Sequence, residues 1–291
     1  MTQYEMFMDV AELQSFTKAA KKNGYTQSAV SQMIQSLEKT LQTTLFVRNK
    51  QGVQLTADGQ MYYPYIQAIS TAIRSLEQKK KEMEGLEQQT IRIGTFVSVS
   101  RHWLPRWIKE FKLLYPQVRF ELIQGEYSNI NQWILDGSID FGFVNEKMVA
   151  DVETYPIYED RMVAVLPIES ELAKQEMIPL EQLEKASLIV LDEGKQSVAL
   201  QAFEKEGLRP HIEYKVYDDT SIIEMVKQGL GYSILYELVI QGFEDQVAIR
   251  PIFQPLKRTV ALAWNQWELM PRAARTFVQY ILENTRKEDV Q

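Results

Sequence analysis

Ser15-Phe-Thr-Lys-Ala-Ala-Lys-Lys-Asn-Gly24, then Tyr25-Thr-Gln-Ser-Ala-Val-Ser-Gln-Met-Ile-Gln-Ser-Leu-Glu-Lys39, then Leu45-Phe-Val-Arg-Asn-Lys50 decide how this chain is organised. The first piece reads as a short helix, Phe16 to Asn23. The Ser15 hydroxyl caps its start, and Asn23-Gly24 stops it, because glycine takes the left-handed conformation that ends helices. Thr26 caps the next helix. There Ala29, Val30, Met33, Ile34 and Leu37 fall on one face and pack inward, while Ser28, Gln32, Gln35 and Lys39 fall on the opposite face. Upstream, Met6, Phe7, Val10, Ala11 and Leu13 recur at helical spacing, which makes a first helix with one apolar stripe. Downstream, Leu45-Phe46-Val47 reads as a short buried strand, Gln51-Gly52 as a turn and Val53-Gln54-Leu55 as the returning strand. Arg48 and Lys50 are then expected at the hairpin tip. The sum is a helix-turn-helix with a wing over residues 1–56.

The outer face of the third helix carries hydroxyls and amides, with Gln27 and Ser31 beside it, where an idle solvated helix carries a Glu/Lys mixture. Glutamine donates and accepts at once, which suits the adenine edge in the major groove, and serine is an adaptable partner. Thr26, Gln27, Ser28, Ser31, Gln32 and Gln35 are therefore the candidate DNA readers. Arg48 and Lys50 are candidate phosphate or minor-groove anchors, which set position and give salt-dependent affinity. A polar surface helix without a ligand is the competing reading.

Net charge, −7 over 291 residues, argues against nucleic acid when taken whole. Residues 1–60, however, hold six Lys/Arg against five Asp/Glu, and the excess of acid lies in 91–291, with 22 against 30. An acidic body on a near-neutral head permits DNA binding where the head's few cations are grouped. There is no cysteine, which excludes disulfides and thiolate chemistry. No signal peptide is visible at the start, and no apolar run is long enough to span a membrane. The expected location is the cytoplasm.

Phe16-Thr-Lys-Ala-Ala, Gln27-Ser-Ala-Val-Ser, Ile34, Leu37-Glu38, Leu45-Phe46, Arg48, Leu55-Thr56 and Gly59 together resemble the head of the LysR-type transcriptional regulators. Asn23 departs from that pattern, standing where an apolar residue usually packs the end of the second helix. Gln42 departs too, standing where glycine usually closes the third. The resemblance implies an α+β multidomain chain: a winged helix-turn-helix, a long linker helix that dimerises, and a two-lobed α/β effector domain of the periplasmic-binding-protein type. It also implies double-stranded promoter DNA and a small-molecule effector as partners, and a homodimer or homotetramer as the assembly.

Residues 57–90 fit the linker. Thr56 caps a long helix and Asp58 suits its positive end. Tyr62, Tyr65, Ile69, Ala72, Leu76, Lys79, Met83 and Leu86 follow a 3-4 alternation broken only at Lys79, a coiled-coil seam. A helix packed on its own domain is the competing reading. Pro64 removes one hydrogen bond and strikes the carbonyl four residues back, so a kink is expected over residues 60–64.

From Ile91 onward strands alternate with helices, the pattern of parallel α/β units. Strands are expected at 91–96, 120–124, 139–144, 163–166, 188–191, 213–216, 232–235 and 259–264. Helices are expected from Trp103, at 130–136, 198–206, 221–228 and 272–284, with Val97 to Arg101 a loop. Two similar halves form lobes of about 91–161 plus 265–291, and about 162–264. Ligands lie beyond the carboxyl ends of parallel strands, which selects Ser98, Ser100, Arg101, Asn145 and Thr220. Hydroxyls beside free helix N–H groups suit a carboxylate or another small organic anion, with Phe96 and Tyr217 as walls. Helix capping is the competing reading of Ser98, Ser100 and Thr220, and plain solvent exposure that of Arg101. In the resembling family an effector-contacting hydroxyl falls at the position of Ser98.

Two histidines, His102 and His211, make no metal site of ordinary composition, and no cofactor is expected. Asp140-Phe-Gly142 and Gly229-Leu-Gly231 echo kinase and dinucleotide strings without their structural context. No enzyme is visible. The competing function is a cytoplasmic small-molecule-binding protein with a helical oligomerisation head.

Overall fold

The computed structural model describes residues 1–49, 52–83, 89–191 and 197–288. The head consists of α1 (Gln3–Leu13), α2 (Phe16–Asn23), α3 (Gln27–Leu41) and an antiparallel hairpin of β1 (Phe46–Asn49) and β2 (Gly52–Leu55). Each helix starts on a hydroxyl: Thr2 accepts from the Glu5 N–H, Ser15 from Lys18 and Thr26 from Ala29. Such caps contribute about 1 kcal/mol each. Gly24 ends α2 with φ 70° and Gln42 ends α3 with φ 54°. At the other departure from the family pattern, the Asn23 amide donates to Asp9 Oδ2 at 2.6 Å and to the Ala19 carbonyl at 2.9 Å. A polar clasp onto α1 thus replaces an apolar plug. Phe7 and Phe16 pack on Phe46 at centroid distances of 5.0 and 5.9 Å, over a core that includes Val30, Ile34 and Leu37. Val47, expected inside, is 47% exposed, because a strand turns alternate side chains outward.

The body begins with β3 (Thr90–Thr95), α5 (Val97–His102), α6 (Leu104–Leu114), β4 (Arg119–Gln124), α7 (Tyr127–Leu135), β5 (Phe141–Asn145) and the long β6 (Glu153–Leu166). It continues through α8 (Leu180–Leu183), β7 (Ser187–Leu191), α9 (Val198–Lys205), β8 (His211–Val216), α10 (Asp219–Lys227), β9 (Ser233–Tyr236) and α11 (Glu237–Ile240). β10 (Ala248–Pro251), β11 (Lys257–Trp264) and α12 (Arg272–Glu288) follow. In the first lobe β4, β3 and β5 are parallel, and β11 runs antiparallel to both β5 and the first half of β6. In the second, β9 and β10 run antiparallel to the last residues of β6, and β7 and β8 form a parallel pair.

Three expectations are corrected here. The sheets are mixed, with parallel strand pairs in β4-β3-β5 and β7-β8 and isolated parallel bridges at Leu188–Tyr232 and Ile178–Ile252. The segment expected as a loop after β3 is the helix α5. β11 pairs with β5, so the chain returns to the first lobe before Lys257 and the boundary expected after Trp264 falls too late. β6 joins the lobes by serving both sheets, and each lobe has its own buried core.

The linker helix α4 (Ala57–Met83) is capped by Thr56, whose Oγ1 accepts from the Gly59 N–H at 2.9 Å. It continues through Pro64 as one helix. Tyr62, expected in the dimer seam, packs with Ile66 into the head's core. The stripe left outside is Met61, Tyr65, Ile69 and Leu76. Leu86 lies outside the described residues, as does the side chain of Met83. The helix also docks on the first lobe. Gln67 Nε2 donates to Asp136 Oδ2 at 3.0 Å, and the Thr71 hydroxyl donates to the Asp136 carbonyl. Gly137 has φ 67°, and a Cβ there would stand 2.2 Å from Thr71 Cγ2, so only glycine permits this approach.

Candidate functional site

The outer face of α3 is built by what lies beneath it. Val30, Ile34 and Leu37 are buried, and their spacing turns Gln27, Ser28, Gln32 and Gln35 to solvent, with Ser31 half-buried. The Thr26 hydroxyl is partly committed: it caps α3 and stands 3.0 Å from Ser28 Oγ. Gln27 Nε2 donates to Ser31 Oγ at 2.9 Å. Gln32 and Gln35 are the residues on this face with exposed amides and no side-chain partner among the described residues. Arg48 does not stand at the wing tip. It lies on β1 opposite Val53, with its guanidinium over the Phe16 ring at 4.7 Å and Nη2 donating to Ser31 Oγ at 3.4 Å. The cation thus borders the amide face. Lys50 lies outside the described residues. Glu38, unassigned a task from sequence, accepts from the Leu45 N–H at 2.7 Å and the Phe46 N–H at 3.3 Å, and fixes the wing to α3.

Between the lobes lies a cavity of about 310 Å³, lined by Phe96, Val97, Ser98, Gln124, Gly125, Glu126, Tyr127, Ser128, Met148, Leu191, Tyr217, Asp219, Tyr236, Val239 and Arg258. Its volume is at the lower end of the range for small-molecule sites. Arg258 on β11 is the centre of its wall. Nε and Nη2 donate to Asp160 Oδ2 at 2.9 and 2.6 Å, Nη1 to the Tyr127 hydroxyl at 2.7 Å, and Nη2 to Ser98 Oγ at 3.0 Å. The Tyr236 and Phe96 rings cover the guanidinium at 4.0 and 4.6 Å. Asp160 is fully buried, and its other oxygen accepts from the Leu238 N–H at 3.1 Å. Burial pushes the Asp160 carboxyl up, against the pull of Arg258. Burial also disfavours the charged Arg258, but Tyr127 and Asp160 outweigh it and hold the guanidinium above its ordinary value. A pair this enclosed is strongly destabilising to break, by about 3–5 kcal/mol, because one charge is then left alone.

Of the five residues selected from sequence, the structure brings Ser98 to this cavity. Ser98 is a buried member of α5 rather than a loop residue, and its hydroxyl is engaged by Arg258. Ser100 points away, donating to Thr95 Oγ1 at 3.2 Å. Arg101 is exposed, with its guanidinium over the Phe243 ring at 4.4 Å. Asn145 is buried at the end of β5 and caps the turn after it, accepting from the Lys147 N–H at 3.4 Å. Thr220 is exposed in the first turn of α10 and does not cap it. Asp218 does, accepting from the Ser221 N–H at 2.7 Å, so the helix starts two residues earlier than expected. Phe96 and Tyr217 do line the cavity.

Sequence reasoning missed Arg258, Asp160, Tyr127, Tyr236 and Asp219. The signal was weak: Asp160 lies between Glu159 and Arg161, and Arg258 follows Lys257, so neither stands out as a lone charge in an apolar strand. Their pairing joins residues 98 positions apart, which local spacing does not reveal.

The comparisons agree with this geometry. Residues 1–60 match the model for the bacterial regulatory helix-turn-helix protein, lysR family, and residues 84–286 match that for the LysR substrate binding domain. The HTH-type transcriptional regulator YvbU of Bacillus subtilis is 32% identical over 286 residues, covering 97% of this chain and 98% of its own. Full-length OxyR from Pseudomonas aeruginosa matches with a TM-score of 0.74 at 22% identity, over 98% of this chain and 95% of that one. Full-length CbnR, solved in complex with its target DNA, matches with a TM-score of 0.66 at 19% identity, over 97% and 98%. No helix among the described residues is long and apolar enough to cross a membrane. A winged head, a docked linker helix and a two-lobed body matched along their whole length place this chain in the LysR family of DNA-binding transcriptional regulators, which carry an effector-binding domain and act by binding, not by catalysis.

Proposed function

We propose that this regulator reads promoter DNA with Gln32 and Gln35 of α3, flanked by Thr26, Gln27, Ser28 and Ser31, and that Arg48 anchors the backbone beside them. The observation that carries this is the uncharged face itself: two exposed amides without a partner among the described residues, held by a buried apolar stripe and bordered by a cation at 3.4 Å from Ser31. Amides read base edges and the cation positions the head on phosphate. The work is done in the cytoplasm, where that DNA is. Two heads, paired through the outer stripe of α4, then meet a two-fold site. The effector occupies the cavity at Ser98 and Arg258, and its presence alters how the lobes close.

A mobility-shift assay on the DNA upstream of the gene tests the reading. Gln32→Ala and Gln35→Ala are expected to weaken discrimination between specific and random DNA by ~1–3 kcal/mol per lost bidentate contact. Arg48→Ala is expected to weaken binding to all sequences alike and to flatten the salt slope. Discrimination that survives both glutamine substitutions overturns the assigned face.

A further inference from the structure

We propose that the cavity between the lobes takes a ligand bearing a protonated amine, received by the Asp219 carboxylate and enclosed by aromatic rings. The inference rests on the reading of this cavity as the effector site. It concerns one group of the ligand, whatever else the same molecule carries.

Charge at the cavity is unevenly committed. Arg258 and Asp160 cancel one another, and the guanidinium has spent four of its five N–H donors on Asp160, Tyr127 and Ser98. A ligand carboxylate gains a forked contact there only by displacing Tyr127 or Ser98. Asp219 is the opposite case. It lines the same cavity, and its Oδ1 is buried with no hydrogen-bond partner among the described residues. Nor is it a helix cap, since Asp218 fills that place. Burial has raised the Asp219 carboxyl to about 6, with Arg258 pulling it down and Asp218 pushing it up. A buried carboxylate oxygen without a donor is a group awaiting one.

The surroundings select which donor. Phe96, Tyr217 and Tyr236 line the cavity; Phe96 and Tyr236 already face the Arg258 guanidinium, a sign that aromatic faces here attract cations once water is displaced. Glu126, which also lines the cavity, has the same sign as Asp219, and no lysine among the described residues lines it. The local field therefore favours positive charge. An ammonium satisfies the free oxygen and its negative charge together, whereas a hydroxyl satisfies only the first.

Three probes on one frame decide the matter: phenethylamine, 2-phenylethanol and phenylacetate, titrated calorimetrically into the full-length protein near neutral pH. Phenethylamine is expected to bind at least about tenfold more tightly than the other two, the scale of one charge-assisted contact. Asp219→Asn should remove that preference while DNA mobility shift confirms an intact protein, and Asp219→Glu should restore part of it. Equal or tighter binding of the alcohol or the acid overturns the amine assignment, as does failure of all three to bind at millimolar concentration. Acid binding that equals or exceeds that of the amine, and is lost in an Arg258→Ala variant whose DNA mobility shift is intact, overturns the amine but keeps the cavity as the ligand site. Amine binding that persists in both Asp219→Asn and the cavity-filling Val97→Trp places the ligand elsewhere and overturns both.

Discussion

Asp140 shows how one side chain links sequence to stability. It precedes β5, accepts the Arg92 N–H at 2.7 Å, and is raised by burial from 3.8 to about 6, with the Arg92 N–H and charge pulling the other way. Its folded pKa lies above the unfolded one, so the native state binds the extra proton between these values. Stability from this group therefore increases as pH falls from 7 through 6 toward 4, and is lowest once the carboxylate is ionised. Asp140→Asn keeps an oxygen for the Arg92 N–H and cannot ionise. Urea unfolding should find it more stable than the parent at pH 8, by about 1 kcal/mol after solvent screening, with the gain shrinking as pH falls through 6 and gone once the unfolded carboxyl is protonated as well, near its ordinary 3.8. No gain at pH 8 would refute the cost of ionisation. Gln42 is the second residue to test. Its φ of 54° is unfavourable for any residue with a Cβ, and Gln42→Gly should stabilise the head by about 0.5–1 kcal/mol, read as a higher unfolding midpoint, with DNA affinity unchanged. Residues of this local kind were legible in advance: Ser15, Thr26 and Thr56 cap helices because a cap is decided within four positions. Ser98 and Arg258, 160 positions apart, were not.

At the scale of elements the same rule separates what was read from what was missed. α3 and α4 declare themselves by periodicity over several turns. α5 does not: Val97-Ser-Val-Ser alternates like a strand or loop and contains weak helix formers, and it is helical where Arg101 lies on Phe243 and Val99 packs into the first lobe's core. The first half of β6 carries polar residues at most positions and reads as a loop until β11 pairs with it. α7 has a role that no periodicity shows. Tyr127 and Ser128 at its start line the cavity, while Asp136 at its end is held by Gln67 and Thr71 of the linker helix. A displacement of the lobes thus has a rigid rod on which to act. The double substitution Gln67→Ala with Thr71→Val should speed hydrogen exchange at Asp136, Gly137 and Ser138 several-fold, because local opening no longer breaks those bonds. Unchanged exchange would mean that the docking contact carries no weight.

For the whole molecule, the electrostatics set the requirement and the linker supplies the answer. A head with six cations against five anions, on a body with 22 against 30, has little non-specific attraction to phosphate. Affinity must come from doubling the head, since linked modules bind far more tightly than either alone. The means we propose is the stripe on α4 at Met61, Tyr65, Ile69 and Leu76. Three of these are 71% exposed and Ile69 is 40% exposed, although each is large and apolar. Tyr65, Ile69, Ala72 and Leu76 keep the 4-3-4 spacing of a coiled-coil seam. Ile69→Glu with Leu76→Glu places charges on this stripe without touching either buried core of the body. The double variant should remain folded by circular dichroism, sediment as a monomer, and lose roughly two orders of magnitude in affinity for a two-fold DNA site. Affinity for a single half-site should stay as it was, because the proposed reading face of α3 is untouched. A variant that still sediments as a dimer with full affinity would move the interface off α4 and leave this exposed stripe without a role.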